Sequence, residues 1–160
     1  MTTLIESSFE KLLVLLVRNE IEFTTVGGIA VCLNGYVRLT EDVDILVSRR
    51  EENIGNLIKT LSNYGEGFAA ELTFSDFLDE EGAVRVIEVI ENCQIDIFVR
   101  MRDLYLEDFK SDIQYFEASD GSSIPFLGSK SLITLKSQSV REKDRVDVSV
   151  LRGILDSVEG

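Results

Sequence analysis

Histidine is absent from this sequence of 160 residues. Its absence excludes imidazole general bases and zinc sites with histidine ligands. Cysteine is nearly absent, and its two residues, Cys32 and Cys93, lie in apolar surroundings without the spacing of metal ligands. We therefore expect buried, reduced thiols, which are typical of a cytoplasmic protein.

Long apolar runs are also missing, and basic residues are scarce. The best apolar candidate, Leu12–Val17, is far too short to cross a bilayer, and the first residues lack the features of a secretory signal, so we expect no membrane association. There are 16 basic and 29 acidic residues, which gives a net charge of −13. Such a surface repels nucleic acid at long range, so we expect no general DNA binding. An RNA acceptor would need a local basic patch or the help of a partner.

The segment of residues 24–47 contains the most informative pattern. A short apolar run ends in Gly27 and Gly28, a helix of small residues follows, and the chain returns as a strand carrying Asp42 and Asp44. Alternate side chains of a strand point to the same face, so the two carboxylates project together. They repel each other unless a cation lies between them. A glycine pair before a helix allows a phosphate to approach the backbone closely.

This combination resembles the nucleotidyltransferase superfamily with its polymerase-beta-like fold. The motif of that family is a glycine pair, a spacer and an Asp-x-Asp sequence with apolar neighbours, which Gly27, Gly28, Asp42 and Asp44 match. The resemblance implies a third acid on a neighbouring strand, for which Asp96 is the candidate. It also implies that the three acids are catalytic and hold two Mg²⁺ ions, and that the glycines contact the phosphates of a nucleoside triphosphate.

The C-terminal part of the chain contains Leu132-Ile133-Thr134-Leu135-Lys136, followed by Arg141-Glu142-Lys143-Asp144-Arg145-Val146-Asp147. These segments resemble the minimal and AbiEii-type branches of the same superfamily. By this resemblance Lys136 neutralises the triphosphate, and several further residues belong to the nucleotide- and phosphate-binding site. These residues are Lys143, Asp144 and Asp147. Arg38 and Thr40 resemble the Arg-x-Thr pattern that often precedes the acid pair in this family, and they could contact phosphate or brace the strand of the acids.

Each of these assignments has a structural alternative that the sequence leaves open. The acid pair could be surface acids on an edge strand, and the glycine pair could form a tight turn between strand and helix. Asp96 could be paired with Arg38 or Arg85. Lys136 could pack its stem on the core with its head in water, and the mixed charges after residue 140 could form a solvated helix start.

The length predicts one domain over residues 1–160. The resemblance implies an α/β (α+β) fold with a mixed, mostly antiparallel sheet and helices packed on one side. Periodicity predicts helices over residues 4–19, 28–33, 49–63, 104–109, 129–135 and 142–157. It predicts strands over residues 21–26 and 43–47 and hairpins that join 83–90 to 94–99 and 113–117 to 124–127. Residues 68–81 show no clear period, and the single proline, Pro125, predicts an edge position for its strand.

The expected function is the Mg²⁺-dependent transfer of a nucleoside monophosphate from a triphosphate such as ATP to a hydroxyl acceptor. The acceptor stays open among a transfer-RNA end, a protein and a small molecule, and the resemblance includes proteins of toxin–antitoxin pairs. The oligomeric state is also open. The alternatives are a non-catalytic nucleotide- or partner-binding module that keeps the fold, and a domain whose acceptor site is completed by another chain.

Overall fold

The computed structural model of this protein describes residues 6–78 and 82–159. The α-helices are α1 (Ser7–Arg18), α2 (Gly27–Leu33), α3 (Glu51–Ser62), α4 (Ser129–Lys136) and α5 (Glu142–Glu159). The strands are β1 (Phe23–Val26), β2 (Val43–Val47), β3 (Val84–Glu88), β4 (Cys93–Phe98), β5 (Ile113–Glu117) and β6 (Ser123–Leu127). Short 3₁₀ helices cover Phe68–Glu71, Phe74–Phe77 and Leu106–Asp112. The part of the first predicted helix before residue 6 lies outside the described residues.

The described strands form one sheet in the order β3-β4-β2-β1-β6-β5. The pairings β3–β4, β1–β2 and β5–β6 are antiparallel, whereas β2–β4 and β1–β6 are parallel. The predicted mixed, mostly antiparallel α+β fold and both predicted hairpins are therefore confirmed. Because β2 lies between β4 and β1, the alternative that its acids sit on an edge strand is wrong.

The helices pack on both faces of the sheet, which corrects the prediction of a single helical layer. On one face, Val43, Ile45 and Val47 of β2 join a core with residues of α1 and α3. On the other face, Leu46 joins a second core with residues of α2, α4 and α5. A central strand that is apolar on both faces must be packed against other elements on each face. Leu46 is the residue of β2 that indicates the second buried face.

The two helices of the first core are amphipathic. In α1 the fully or nearly fully buried residues are Phe9, Leu12, Leu13 and Leu16, which recur at helical spacing. In α3, Ile54, Leu57 and Leu61 form the equivalent face. Fully burying such side chains contributes about 1.5–3 kcal/mol each. These helices cover one face of β2, and Asp44 lies on the opposite face, which it shares with Leu46.

Two segments differ from their predictions. Pro125 lies in β6, which is an interior strand between β1 and β5 rather than an edge. Proline lacks a backbone N–H donor, but this loss costs little here because β6 pairs with β1 only at Thr25 and Phe126. The segment after α3 folds into two 3₁₀ turns that insert Ala69 and Phe77 into the first core, so its described part is a packed element rather than a free flap.

No helix within the described residues is both long and apolar enough to cross a membrane. Cys32 and Cys93 are both buried and free, as predicted.

Candidate active site

The three predicted acids meet where β2 and β4 run side by side. These strands are parallel, and their register places Asp44 directly opposite Asp96. Asp42 precedes Asp44 by two residues, so its side chain projects from the same face of the sheet. One carboxylate oxygen from each of the three residues lies within 4.8 Å of the others. The alternation of a single strand and one parallel pairing therefore suffice to bring the acids together.

The glycine pair allows other side chains to approach the backbone. Gly27 has a φ of 65°, and a Cβ atom at this position would lie 2.0 Å from Oδ2 of Asp44. A Cβ atom on Gly28 would lie 2.6 Å from Cγ2 of Thr40 and 3.2 Å from Nη1 of Arg38. Both positions thus exclude larger residues on packing grounds. The glycine pair therefore forms a tight turn between β1 and α2, as the structural alternative predicted. Contact between these glycines and a phosphate stays a prediction.

The acid cluster raises the pKa of two of its members. Burial and the repulsion of Asp42 and Asp96 raise the pKa of Asp44 to about 7. Burial, followed by the repulsion of Asp96, also raises the pKa of Asp42. In both cases burial is the main reason that the charged form is disfavoured, and the repulsion between the acids adds to it. A divalent cation between the carboxylates would remove this penalty.

Two polar side chains that the prediction gave no site role contact the acids. Arg85 of β3 donates to Asp96 through Nε to Oδ1 at 2.8 Å and Nη2 to Oδ2 at 3.3 Å. Gln94 donates to Oδ2 of Asp42 at 3.2 Å. The antiparallel register of β3 and β4 pairs Arg85 with Asp96. The predicted hairpin therefore already indicated that Arg85 could lie beside Asp96. Of the two arginines considered for Asp96, Arg85 is the partner.

The residues from the C-terminal part form a network of charges beside the acids. Arg38 donates to both carboxylate oxygens of the fully buried Asp147, each at 2.8 Å. The ammonium of Lys136 lies 2.9 Å from Asp144 and 3.2 Å from Asp147. Burial alone would lower the pKa of Arg38, but its pairing with Asp147 raises it. Burial opposes the effect of Lys136 and Ser139 on Asp144, whose pKa is nevertheless lowered.

A cleft of about 410 Å³ contains almost all of the predicted site residues. Asp147 is the exception, since it lies below the surface and holds Arg38 and Lys136 in place. The remaining predicted residues that line the cleft are Gly27, Gly28, Arg38, Thr40, Asp42, Asp44, Asp96, Lys136, Lys143 and Asp144. The prediction did not include the other lining residues, which are Glu41, Ala83, Arg85, Phe98 and Arg141.

The charges of the cleft lining are balanced in number. Five lining residues are acidic (Glu41, Asp42, Asp44, Asp96 and Asp144), and five are basic (Arg38, Arg85, Lys136, Arg141 and Lys143). Clustered carboxylate oxygens are the ligands that Mg²⁺ prefers, and the surrounding cations suit phosphate oxygens. The donor set therefore fits a hard divalent cation together with a phosphorylated ligand.

The α+β fold of this chain is shared with a protein of known structure. The structure is similar to the crystal structure of an antigenic nucleotidyltransferase-like protein from Paracoccidioides brasiliensis, with a TM-score of 0.57 and 17% sequence identity. The similarity covers 92% of this chain and 73% of that protein. At this identity the likeness concerns the fold. No protein-family model matches the sequence, and a comparison with curated proteins finds no match.

Proposed function

We propose that this protein is a Mg²⁺-dependent nucleotidyltransferase that moves a nucleoside monophosphate from a nucleoside triphosphate to a hydroxyl acceptor. The observation that carries the proposal is the convergence of Asp42, Asp44 and Asp96 to within 4.8 Å in a cleft lined by five cationic side chains. The fold shared with a nucleotidyltransferase-like protein supports it. The proposed minimal or AbiEii-type branch and a role in a toxin–antitoxin pair rest on the sequence resemblance.

The three acids would hold the metal, and their charges determine how the site would work. When bound, Mg²⁺ would neutralise charge on the reacting phosphate and on the leaving group. Burial and then the repulsion of the neighbouring acids raise the pKa values of Asp42 and Asp44, and a bound cation would offset both effects, which supports their assignment as ligands. Since the lining charges balance before the metal is added, each divalent cation would leave the cleft positive, which complements the negative charge of a triphosphate.

The cationic side chains would position the triphosphate. Lys136 is only 14% exposed and is fixed by two carboxylates, so its ammonium is held at one place on the cleft wall. Arg38 is equally fixed by its bidentate pairing with Asp147. Rigid cations orient phosphate oxygens without a large loss of side-chain entropy on binding. Thr40, Lys143 and Arg141 line the remaining wall.

The proposed reaction is an in-line displacement at the α-phosphorus. The acceptor oxygen forms a bond to phosphorus, the bond from phosphorus to the bridging oxygen breaks, and pyrophosphate leaves with the electron pair. Asp96 is the proposed base that takes the proton of the acceptor hydroxyl. Its partner Arg85 is 58% exposed, so this ion pair contributes little stability and can open when a ligand arrives.

The same ion pair is the observation that favours the second candidate, a non-catalytic nucleotide- or partner-binding module. Both oxygens of Asp96 accept hydrogen bonds from Arg85, so this acid is already neutralised in part. A protein in which Arg85 replaces a cation permanently would keep the fold and bind nucleotide without transfer. Substitution of Arg85 separates the two cases: Arg85→Ala should leave transfer measurable in an enzyme, and it should create no transfer in a binding module.

The direct test is thermal unfolding with each of the four ribonucleoside triphosphates, with and without Mg²⁺, combined with an assay for pyrophosphate release. A ligand present at a hundred times its dissociation constant adds about 2.7 kcal/mol of apparent stability. We expect a Mg²⁺-dependent shift for one or more nucleotides that is lost in Asp42→Asn/Asp44→Asn and retained in the surface variant Asp156→Asn. No shift with any nucleotide would contradict the proposal, and a shift without pyrophosphate release under any condition would support the binding module.

A further inference from the structure

A second, smaller pocket adjoins the catalytic cleft and is lined by cations without acids. Its volume is about 340 Å³, and its lining residues are Lys136, Ser137, Arg145, Val148, Ser149 and Arg152. Lys136 lines both this pocket and the cleft, so the two pockets meet at one side chain. We call it the α4–α5 pocket because it lies between these helices.

The α4–α5 pocket presents one face of α5. Arg145, Ser149 and Arg152 occupy positions i, i+4 and i+7, which lie on the same side of a helix over a length of roughly 10 Å. All three are exposed, and Ser137 follows directly after the last residue of α4. The pocket therefore offers two guanidinium groups and two hydroxyl groups along a line that leads to Lys136.

Neither arginine of this pocket has an acidic partner, a property that the two share with Lys59 and Lys110 among the described residues. Surface cations elsewhere, such as Lys11, Arg18 and Arg50, form ion pairs with carboxylates. Among residues 6–78 and 82–159, neither Arg145 nor Arg152 forms a side-chain ion pair or hydrogen bond. The chain has 29 acidic and 16 basic residues, so a shortage of acids does not explain why these arginines lack a partner. The unpaired guanidinium groups leave their donors available to an external anion.

We propose that the α4–α5 pocket binds a phosphate group of the acceptor, so that the acceptor is a phosphate-bearing molecule with a free hydroxyl. This inference rests on the proposed function, because it assigns the acceptor for the same site. Guanidinium groups bind phosphate through paired hydrogen bonds, and serine hydroxyls add further donors. The phosphate could come from the backbone of an oligoribonucleotide end or from a small phosphorylated acceptor. The pocket is the local basic patch that an acidic protein needs for such a ligand.

The test measures binding of two probes to the full chain without Mg²⁺: a short labelled single-stranded oligoribonucleotide, followed by fluorescence anisotropy, and inorganic phosphate, followed by thermal unfolding. The variant Arg145→Ala/Arg152→Ala removes both guanidinium groups from the exposed surface. The matched control Lys59→Ala/Lys110→Ala removes the same charge from exposed positions outside the pocket and the cleft. Melting temperatures of both variants without ligand establish that they are folded.

We expect the pocket variant to bind the oligoribonucleotide at least about tenfold more weakly, since it loses the charged hydrogen bonds of two guanidinium groups. The slope of log K against log salt should fall by roughly 1.4 for two lost contacts to a single strand. In the control variant, the affinity for the oligoribonucleotide and the salt slope should both change much less. A loss for the oligoribonucleotide alone identifies a strand as the source of the phosphate, and a loss for both probes identifies a general phosphate site.

Equal losses in the pocket variant and the control would overturn the inference, because net charge would then explain the binding. Binding of neither probe by the wild-type protein would also overturn it. The Mg²⁺-dependent nucleotide shift is measured on the same variants and should be retained in both. If that shift is absent from the wild-type protein, the proposed function fails, while a specific loss in the pocket variant would still establish the phosphate site.

Discussion

Substitution of Asp44 by asparagine should stabilise the metal-free protein at pH 8. Burial and the neighbouring acids raise the pKa of Asp44 to about 7, against an ordinary value of 3.8. An acid with a raised pKa in the folded state binds its proton more tightly when folded. Stability is therefore greatest below the unfolded pKa and is lost as the pH rises from about 4 to about 7.

The size of this effect follows from the two pKa values. At pH 8 the folded protein has lost a free energy of the order of 4 kcal/mol relative to pH 4, at 1.36 kcal/mol for each unit. Asparagine keeps the shape of the neutral carboxyl group and carries no charge. In Asp44→Asn we therefore expect a gain of this order at pH 8 and almost none at pH 4, so that the curve of stability against pH flattens.

Urea unfolding in the presence of a chelator, followed by circular dichroism from pH 4 to pH 8, measures this difference. The matched control is Asp156→Asn, which removes one negative charge from an exposed position on α5 and should change stability by no more than about 0.5 kcal/mol. The reasoning is refuted if Asp44→Asn is no more stable than the wild-type protein at pH 8 in chelator. That result would mean that other groups already compensate the charge of Asp44.

Three further predictions concern the same site. Mg²⁺ should raise the melting temperature more at pH 8 than at pH 5, because the metal and the proton compete for Asp44; an equal rise at both values would contradict this. Gly27→Ala should cost about 1–3 kcal/mol in urea unfolding and abolish the Mg²⁺ effect, because its φ is 65° and its Cβ would collide with Asp44. The control Gly55→Ala, which meets no atom within 4 Å on α3, should stabilise by up to about 1 kcal/mol. Asp147→Asn should cost about 3–5 kcal/mol because it removes the buried charge with which Arg38 and Lys136 pair, and a smaller loss in the double variant with Arg38→Met would show that Asp147 and Arg38 are coupled.

The local parts of the site were predictable from the sequence because they depend on short-range geometry. The alternation of a strand places Asp42 and Asp44 on one face whatever the rest of the fold does. The tight turn at Gly27 and Gly28 likewise follows from two adjacent glycines. Asp96 came from the family resemblance, because a parallel pairing between β2 and β4 joins segments that no local pattern connects.

The long-range parts could not be derived in the same way. Arg38 and Asp147 are separated by 109 positions and still form the central ion pair beside the cleft. Their pairing depends on how α5 packs against the sheet, and sequence alone gives no register between a helix and a strand segment so far away. The second helical layer, by contrast, could have been predicted from the sequence. Leu46 between Ile45 and Val47 indicates a strand that is buried on both faces.

The distribution of charge reconciles an acidic protein with an anionic ligand. Five cations line the cleft and two more line the α4–α5 pocket, so seven of the 16 basic residues lie around one region. Beyond a Debye length of about 8 Å at physiological salt, the net charge of −13 is largely screened, and within that distance the local cations act directly. The acidic remainder therefore discourages non-specific contact with nucleic acid without weakening the site itself. For the proposed anionic ligand, selectivity would arise because the anion is attracted only close to Lys136 and the neighbouring cations.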